Sequence, residues 1–215
     1  MKIVNEALRS DLQAGRPVRL NLGSGKTSRE GFYNVDLVAL ERVDVVADLN
    51  RPLDGLPDDS VSEVVCRHTL EHIENIVGLL SELHRVVRSE GRIEIAVPHF
   101  SNPYGYSDPT HVHFFGLFSM YYFSDMEDQP RRKVPCHYGV SPFIVEKIRI
   151  RFHTRGLLDG SVGRLIRGLV NINYSTQHCY ERRFAWLWPA SEIRYVLRPK
   201  KEPRRPVRPN GCSGE

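Results

Sequence analysis

The sequence contains no Cys-x-x-Cys pair, and its four cysteines, at positions 66, 136, 179 and 212 of 215, lie far apart. That spacing suits reduced thiols and excludes a disulfide scaffold or a cysteine-built zinc site. Long apolar runs are missing too. The densest, HFFGLFSMYYF at 113–123, falls well short of the roughly 20 residues that cross a bilayer. No basic, apolar, small-residue leader opens the chain, so a cytoplasmic protein without a membrane span is the expectation. A charge bias is absent from most of the sequence. Residues 198–215 hold six Lys/Arg and two Glu, which accounts for the whole net charge of +4 and leaves 24 basic and 24 acidic residues in the other 197. A nucleic-acid partner is therefore not expected of the folded part. The segment RPKKEPRRPVRPNGCSGE, with four prolines and almost nothing apolar, reads as a disordered basic tail. The domain expectation is one folded unit over 1–199 and a tail over 200–215. With 40% hydrophobic and 26% charged residues, the rest has the make-up of an ordinary globular domain.

Seven strand-like runs are present: VRLNL (18–22), FYNVDL (32–37), DVVADL (44–49), SEVVC (62–66), RIEIAV (92–97), VEKIRIRF (145–152) and EIRYVL (192–197). The early ones are rich in Val and Ile, as in a parallel sheet buried on both faces. The last two alternate and suggest an antiparallel edge pair. Val4, Leu8 and Leu12 predict a helix stopped at Gly15. Ile76, Leu80, Leu83 and Val87 predict another that ends near Gly91. Alternating strands and helices give an α/β, doubly wound fold. Only about nine and six residues separate the first three strands, fewer than parallel crossovers normally use. The helices there must shrink to single turns, and the 155–190 segment or a second subunit (a homodimer) is expected to cover that face.

The stretch LNLGSGKTSREGFYNVDL, 20–37, has three readings. As a phosphate loop it puts Leu20 where the first Gly belongs, and a strand follows where a helix is needed. As a dinucleotide fingerprint it has Ser28 in place of the third Gly. The third reading is a nucleoside site: Gly23 and Gly25 turn the chain at a strand end, Asp36 at the next strand end accepts from ribose hydroxyls, and Asp48 with Leu49 meets the base. Ligands of open α/β sheets bind at those carboxyl ends.

These residues and the block VVCRHTLEHIENIVGLLSELHRVVRSEGRIEIAVP (64–98), in which Leu70, Glu71, His72, Glu82, Arg85 and Val86 stand out, resemble the class I S-adenosylmethionine-dependent methyltransferases of the compact bacterial type. YERRFAWLWPASEIRYVLRP (180–199) resembles the approach to that family's C-terminal strand. The sequence departs from the pattern at Asn21, where many members carry an acid, and at Arg88–Gly91, where a Lys-Pro-Gly-Gly turn is usual. The resemblance implies a Rossmann-like, mostly parallel seven-stranded sheet with an antiparallel last strand, and S-adenosyl-L-methionine as cofactor. The cofactor-binding set it implies is Asn21, Leu22, Gly23, Ser24, Gly25, Asp36, Leu37, Asp48, Leu49, Arg67 and His68. Glu71 and His72 are read as orienting a helix start.

The acceptor is expected to meet the segment PHFSNPYGYSDPTHVHFFGLFSMYYF (98–123), which holds His99, Asp108, His111 and His113. His111 and His113, two apart, share one side of an extended loop. A neutral imidazole oriented by Asp108 can take a hydroxyl proton. The catalytic set is therefore His111, His113 and Asp108, acting on an oxygen of a small-molecule or glycan-linked acceptor. A divalent metal held by Asp108, His111, His113 and His99 competes with that reading, but no metal is assigned. Cys136-His137, His178-Cys179 and the run Arg131-Arg132-Lys133 are secondary candidates. The alternatives are a non-catalytic nucleoside-binding or assembly module and a nucleic-acid methyltransferase. The latter lacks its Pro-Pro-aromatic motif at Arg67-His68-Thr69-Leu70.

Overall fold

A computed structural model describes residues 1–136, 142–153 and 157–201. Asn5 opens helix α1 (Glu6–Gln13) by accepting from the Ala7 N–H, and Leu8 is its buried anchor. Strand β1 (Lys2–Ile3) precedes it. Strands β2 (Val18–Leu22), β3 (Tyr33–Asp36), β4 (Val45–Val46) and β5 (Val61–Arg67) follow. Helix α2 (Ile76–Val86) starts where the Asn75 side chain accepts from the Gly78 N–H. It buries Leu79, Leu80, Leu83 and Val86, each contributing about 1.5–3 kcal/mol. Strand β6 (Val87–Pro98), strand β7 (Phe143–Phe152), helices α3 (Leu157–Val170) and α4 (Tyr174–Arg183) and strand β8 (Ala190–Pro199) complete the chain. The long connection from β6 to β7 is irregular, with three short 3-10 turns at 103–106, 119–123 and 126–128.

The sheet order is β1-β4-β3-β2-β5-β6-β8-β7. The pairs from β4 through β6 are parallel, and β8 lies antiparallel between β6 and β7. This is the expected Rossmann-like sheet with its reversed last strand. It gains an eighth, two-residue strand at the N-terminus, antiparallel to β4.

Two local expectations are corrected. The second helix stops at Val86 rather than near Gly91, because Val87 pairs with Val61 in the sheet and is fully buried there. The connections β2–β3 and β3–β4 are reduced to single turns and bends, as expected, with the Thr27 N–H donating to the Ser24 carbonyl and the Val43 N–H to that of Leu40. Among the described residues, 157–190 do not cover the sheet there. Asn171 exchanges hydrogen bonds with the backbone of Ile150, and Gln177 donates to the Ile148 carbonyl, so α3 and α4 close the far edge at β7.

The parallel strands are not buried on both faces either. Leu20, Val64, Ile93, Ile95, Ile193 and Tyr195 join one core with residues of α1, α2 and α4. The opposite face is polar. Register places Arg67, Ala96, Arg194 and Arg149 in one row across β5, β6, β8 and β7, and Val65, Glu94, Val196 and Lys147 in the next. These residues, with Arg29 and Arg92, line an open cavity of about 340 Å³.

Candidate active site

At the carboxyl ends of β2, β3 and β5 the chain forms a cleft of about 540 Å³ lined by Asn21, Gly23, Ser24, Thr27, Ser28, Arg29, Val65, Arg67 and His68. Gly23 and Gly25 have φ of +61° and +55°, the left-handed region where a side chain is strained. At Gly23 a Cβ would also fall 2.1 Å from Thr69 Oγ1, so the Thr69 side chain, two residues after β5, packs directly on the Gly23 backbone. Asn21 donates from Nδ2 to Asn34 Oδ1 (2.9 Å) and to the Thr27 carbonyl (3.3 Å), holding the loop over the sheet. Asp36 stands on the same rim: its Oδ2 accepts from the Gly25 N–H at 2.7 Å and its Oδ1 from the Val38 N–H at 3.1 Å. A carboxylate accepts about four hydrogen bonds, so capacity remains for a ligand. Ser24 Oγ is buried beside this turn without a partner.

His68 follows β5 directly, with a backbone φ of +51° that is unusual for a residue with a side chain. Its Nε2 lies 3.1 Å from Glu192 Oε2 and its Nδ1 3.5 Å from Glu71 Oε1. Glu192 and then Glu71 favour the protonated ring and raise its pKa to about 9. Burial pushes Glu192 up, but His68 and Arg194 outweigh it and bring the carboxyl down to about 2. Glu71 is 1% exposed, and its Oε2 has no hydrogen-bond partner.

The 108–113 segment docks on this point through its backbone, with the Val112 N–H donating to the Glu71 carbonyl (2.9 Å). Asp108 Oδ1 accepts from the Thr110 hydroxyl (2.6 Å) and the Thr110 N–H (2.9 Å), which hold its carboxyl below the usual range. Thr110 Oγ1 in turn lies 2.8 Å from His72 Nδ1. His111 Nδ1 donates to the Gly105 carbonyl at 2.8 Å, and the His72 and His111 rings meet edge to face at 4.7 Å. Asp108 Oδ2 is 3.9 Å from His111 Nε2.

The expected residues therefore divide. Asn21, Gly23, Ser24, Arg67 and His68 line one cleft, and Gly25 and Asp36 are joined at its rim. Leu22 and Leu49 are buried in the core, so only their backbones are available to a ligand. Leu37 is largely exposed. Asp48 spends Oδ1 on the Asn50 backbone and side chain, and Oδ2 on Arg51. His111 and His113 do not act as a pair: the first faces His72, while the second turns towards Phe115 and buries an unpartnered Nε2. His99 is fully buried between Ser101 and Glu181. Of the basic run, Arg132 stacks on Phe118, and Lys133 donates to the Met126 and Gln129 carbonyls. His137 lies outside the described residues. His178 packs on Phe118 and Tyr174, and neither Cys136 nor Cys179 joins a metal-ligand group among the described residues. Glu71, His72, Thr110 and Glu192 carry no local sequence signal of a ligand-facing role. Glu192 lies 124 residues beyond His68 and meets it only through the β6–β8 pairing.

Residues 25–95, about a third of the chain, match the family model described as a methyltransferase domain. Comparison with curated proteins gives no match. Among solved structures, an S-adenosylmethionine-dependent methyltransferase from Archaeoglobus fulgidus superposes with a TM-score of 0.52 at 18% identity, covering 90% of this chain and 93% of that one. A proposed type 11 methyltransferase from Sulfolobus solfataricus gives 0.46 at 15% identity, covering 92% of each. A Haemonchus contortus phosphoethanolamine N-methyltransferase, solved with S-adenosyl-L-methionine, gives 0.48 at 13% identity over 86% of this chain and 49% of that one. The family match spans the turn from Gly25 to the fifth parallel-sheet segment, and the sheet order completes the same fold. Residues 25–95 thus match a methyltransferase domain, and the fold around them is similar to that of class I S-adenosylmethionine-dependent methyltransferases.

Proposed function

We propose that this enzyme transfers a methyl group to an oxygen of a small-molecule or glycan-linked acceptor, and that the cleft at the ends of β2, β3 and β5 holds the cofactor. The observation that carries the proposal is the closed contact between the glycine turn and Asp36, next to a buried, unpartnered Ser24 hydroxyl. These groups fit an adenosyl moiety: Gly25, with nothing within 4 Å of a Cβ, admits it at backbone distance, and the spare lone pairs of Asp36 accept from vicinal ribose hydroxyls. Such charge-assisted bonds contribute about 1.5–3 kcal/mol each. When bound, S-adenosylmethionine supplies a methyl carbon that bonds to the acceptor oxygen as its bond to sulfur breaks, the electron pair passing to sulfur to leave S-adenosylhomocysteine.

The chain contributes alignment, exclusion of water and removal of the acceptor proton. Alignment of two reactants supplies about 7–11 kcal/mol of barrier reduction. His68 sits between the cofactor cleft and the 108–113 segment, so the acceptor approaches from the His111 side. Donation from His111 Nδ1 to the Gly105 carbonyl leaves a lone pair on Nε2, which takes the hydroxyl proton. Asp108 steadies the charge that results, at 3.9 Å. His113, whose Nε2 is buried beside Phe115, serves as the comparison position for that role.

The test uses tritiated S-adenosylmethionine with a panel of hydroxylated acceptors. Transfer is expected, and His111→Ala should cut turnover by about 10²- to 10⁴-fold with unchanged affinity for S-adenosylhomocysteine. Retained turnover in both His111→Ala and His113→Ala would remove the base.

A further inference from the structure

We infer that Glu71, His72 and His111 form a binding site for a first-row divalent cation of the zinc class. The inference deepens the preceding reading, because it gives the acceptor-side cluster a metal, yet the site stands on its own donors. The three residues each offer a ligand atom, and those atoms lie within 4.8 Å of one another.

Hydrogen bonding fixes the ring nitrogens. The Thr110 hydroxyl gives its single proton to Asp108 at 2.6 Å, so its oxygen can only accept, and His72 Nδ1 must carry the proton it donates. A backbone carbonyl likewise accepts only, so His111 Nδ1 donates to Gly105. Both imidazoles are thereby held as the tautomer whose Nε2 bears a free lone pair. Tying one ring nitrogen to a carbonyl or a polar oxygen is how proteins orient metal-binding histidines.

Glu71 supplies the independent observation. It is 1% exposed, Oε1 lies 3.5 Å from His68, and Oε2 is buried with no partner. A buried carboxylate oxygen normally has a hydrogen bond or a cation. Two imidazoles and one carboxylate form a borderline-soft set that suits zinc and its neighbours and leaves a coordination position open. Tetrahedral bonds of about 2.1 Å place ligand atoms roughly 3.4 Å apart, so the set closes on an ion by side-chain rotation.

With the cation in place, His111 Nε2 is engaged in coordination. An acceptor hydroxyl in the open position then loses its proton to water, as bound water does at catalytic zinc, and the ion replaces the imidazole base. The cluster at Asp125, Glu127 and Asp128 is different in kind: the Lys200 ammonium already occupies its centre, in ion-pair contact with all three carboxylates.

The full chain, stripped with a chelator, is titrated with zinc chloride by calorimetry and with cobalt(II) by visible absorption. One equivalent is expected to bind, and the cobalt form should show the spectrum of a low-coordinate nitrogen and oxygen site. His72→Ala and His111→Ala should abolish stoichiometric binding. Thr110→Ala, an exposed position whose hydroxyl links His72 Nδ1 to Asp108, should weaken it by about 10- to 100-fold. Asp125→Ala should bind as wild type. Zinc bound by a chain that transfers no methyl group retires the proposed reaction and keeps the site. No stoichiometric zinc, or equal binding by wild type, His72→Ala and His111→Ala, overturns the site and returns the proton to His111.

Discussion

Replacing Gly23 by alanine isolates the close approach on which the cofactor cleft depends. Two costs add. The backbone sits at φ +61°, and a residue with a Cβ pays about 1–2 kcal/mol for that conformation. The new methyl also falls 2.1 Å from Thr69 Oγ1 and 2.4 Å from its Cγ2. Thr69 is buried, and its hydroxyl donates to the carbonyl of Arg67 at 3.1 Å. Driving it away strands a buried polar group at about 1–3 kcal/mol. Gly23→Ala should therefore lose about 2–5 kcal/mol in urea unfolding, and the displaced turn should weaken S-adenosylhomocysteine by more than about tenfold in calorimetry, tenfold being about 1.4 kcal/mol. Gly15→Ala is the control. Its φ is +66°, but nothing lies within 4 Å of a Cβ there, so only the backbone cost of about 1–2 kcal/mol applies and the ligand should bind as before. Equal stability losses in the two variants, with ligand affinity unchanged in both, would mean that Thr69 does not hold the Gly23 turn in place.

Other expectations follow from the same contacts. Asp36→Ala should raise the dissociation constant for S-adenosylhomocysteine by about 10- to 100-fold, from charge-assisted bonds of about 1.5–3 kcal/mol, as read by calorimetry. Arg85 donates to Glu82, to Asp58 and to the carbonyls of Leu53 and Leu56, tying α2 to the preceding loop. Arg85→Ala should cost about 2–3 kcal/mol in urea unfolding with ligand affinity kept. Arg85, chiefly, holds the Glu82 carboxyl below its ordinary 4.5. The pair's contribution is thus whole above pH 4.5 and fades as pH falls through the lowered native value. A stability profile against pH should show that acid limb flattened in Arg85→Ala. Tyr195, fully buried on β8, donates to the Gly116 carbonyl at 2.6 Å and pins the loop that carries His111. Tyr195→Phe should lower stability by about 1–3 kcal/mol and reduce turnover more than cofactor affinity, measured by unfolding and steady-state kinetics.

The strands were legible because hydrophobic runs and turn residues are local. Gly23, Gly25 and Asp36 were legible because each closes a strand, and parallel pairing brings such ends to one rim. The polar sheet face was also readable in principle. Arg19, Glu63, Arg92, Glu94 and Arg194 alternate with Leu20, Val64, Ile93 and Ile193, a period-2 pattern that contradicts burial on both faces. The helix end was misjudged because Val87 satisfies the helical stripe and the β-ladder equally well, and pairing with Val61 decides between them. The acceptor side was the least legible. Histidines two apart suggested a pair, yet the irregular backbone of 108–113 sends His111 to His72 and His113 to Phe115. Partners such as Glu71–His111 and His68–Glu192 depend on long-range closure that no spacing encodes.

The most direct measurement is a crystal structure of the full chain soaked with S-adenosylhomocysteine. Density is expected in the cleft lined by Gly23, Ser24 and His68, with both ribose hydroxyls on the carboxylate of Asp36. Density seated elsewhere on the molecule, with the Asp36 carboxylate bonded only to the Gly25 and Val38 amides, would contradict that placement.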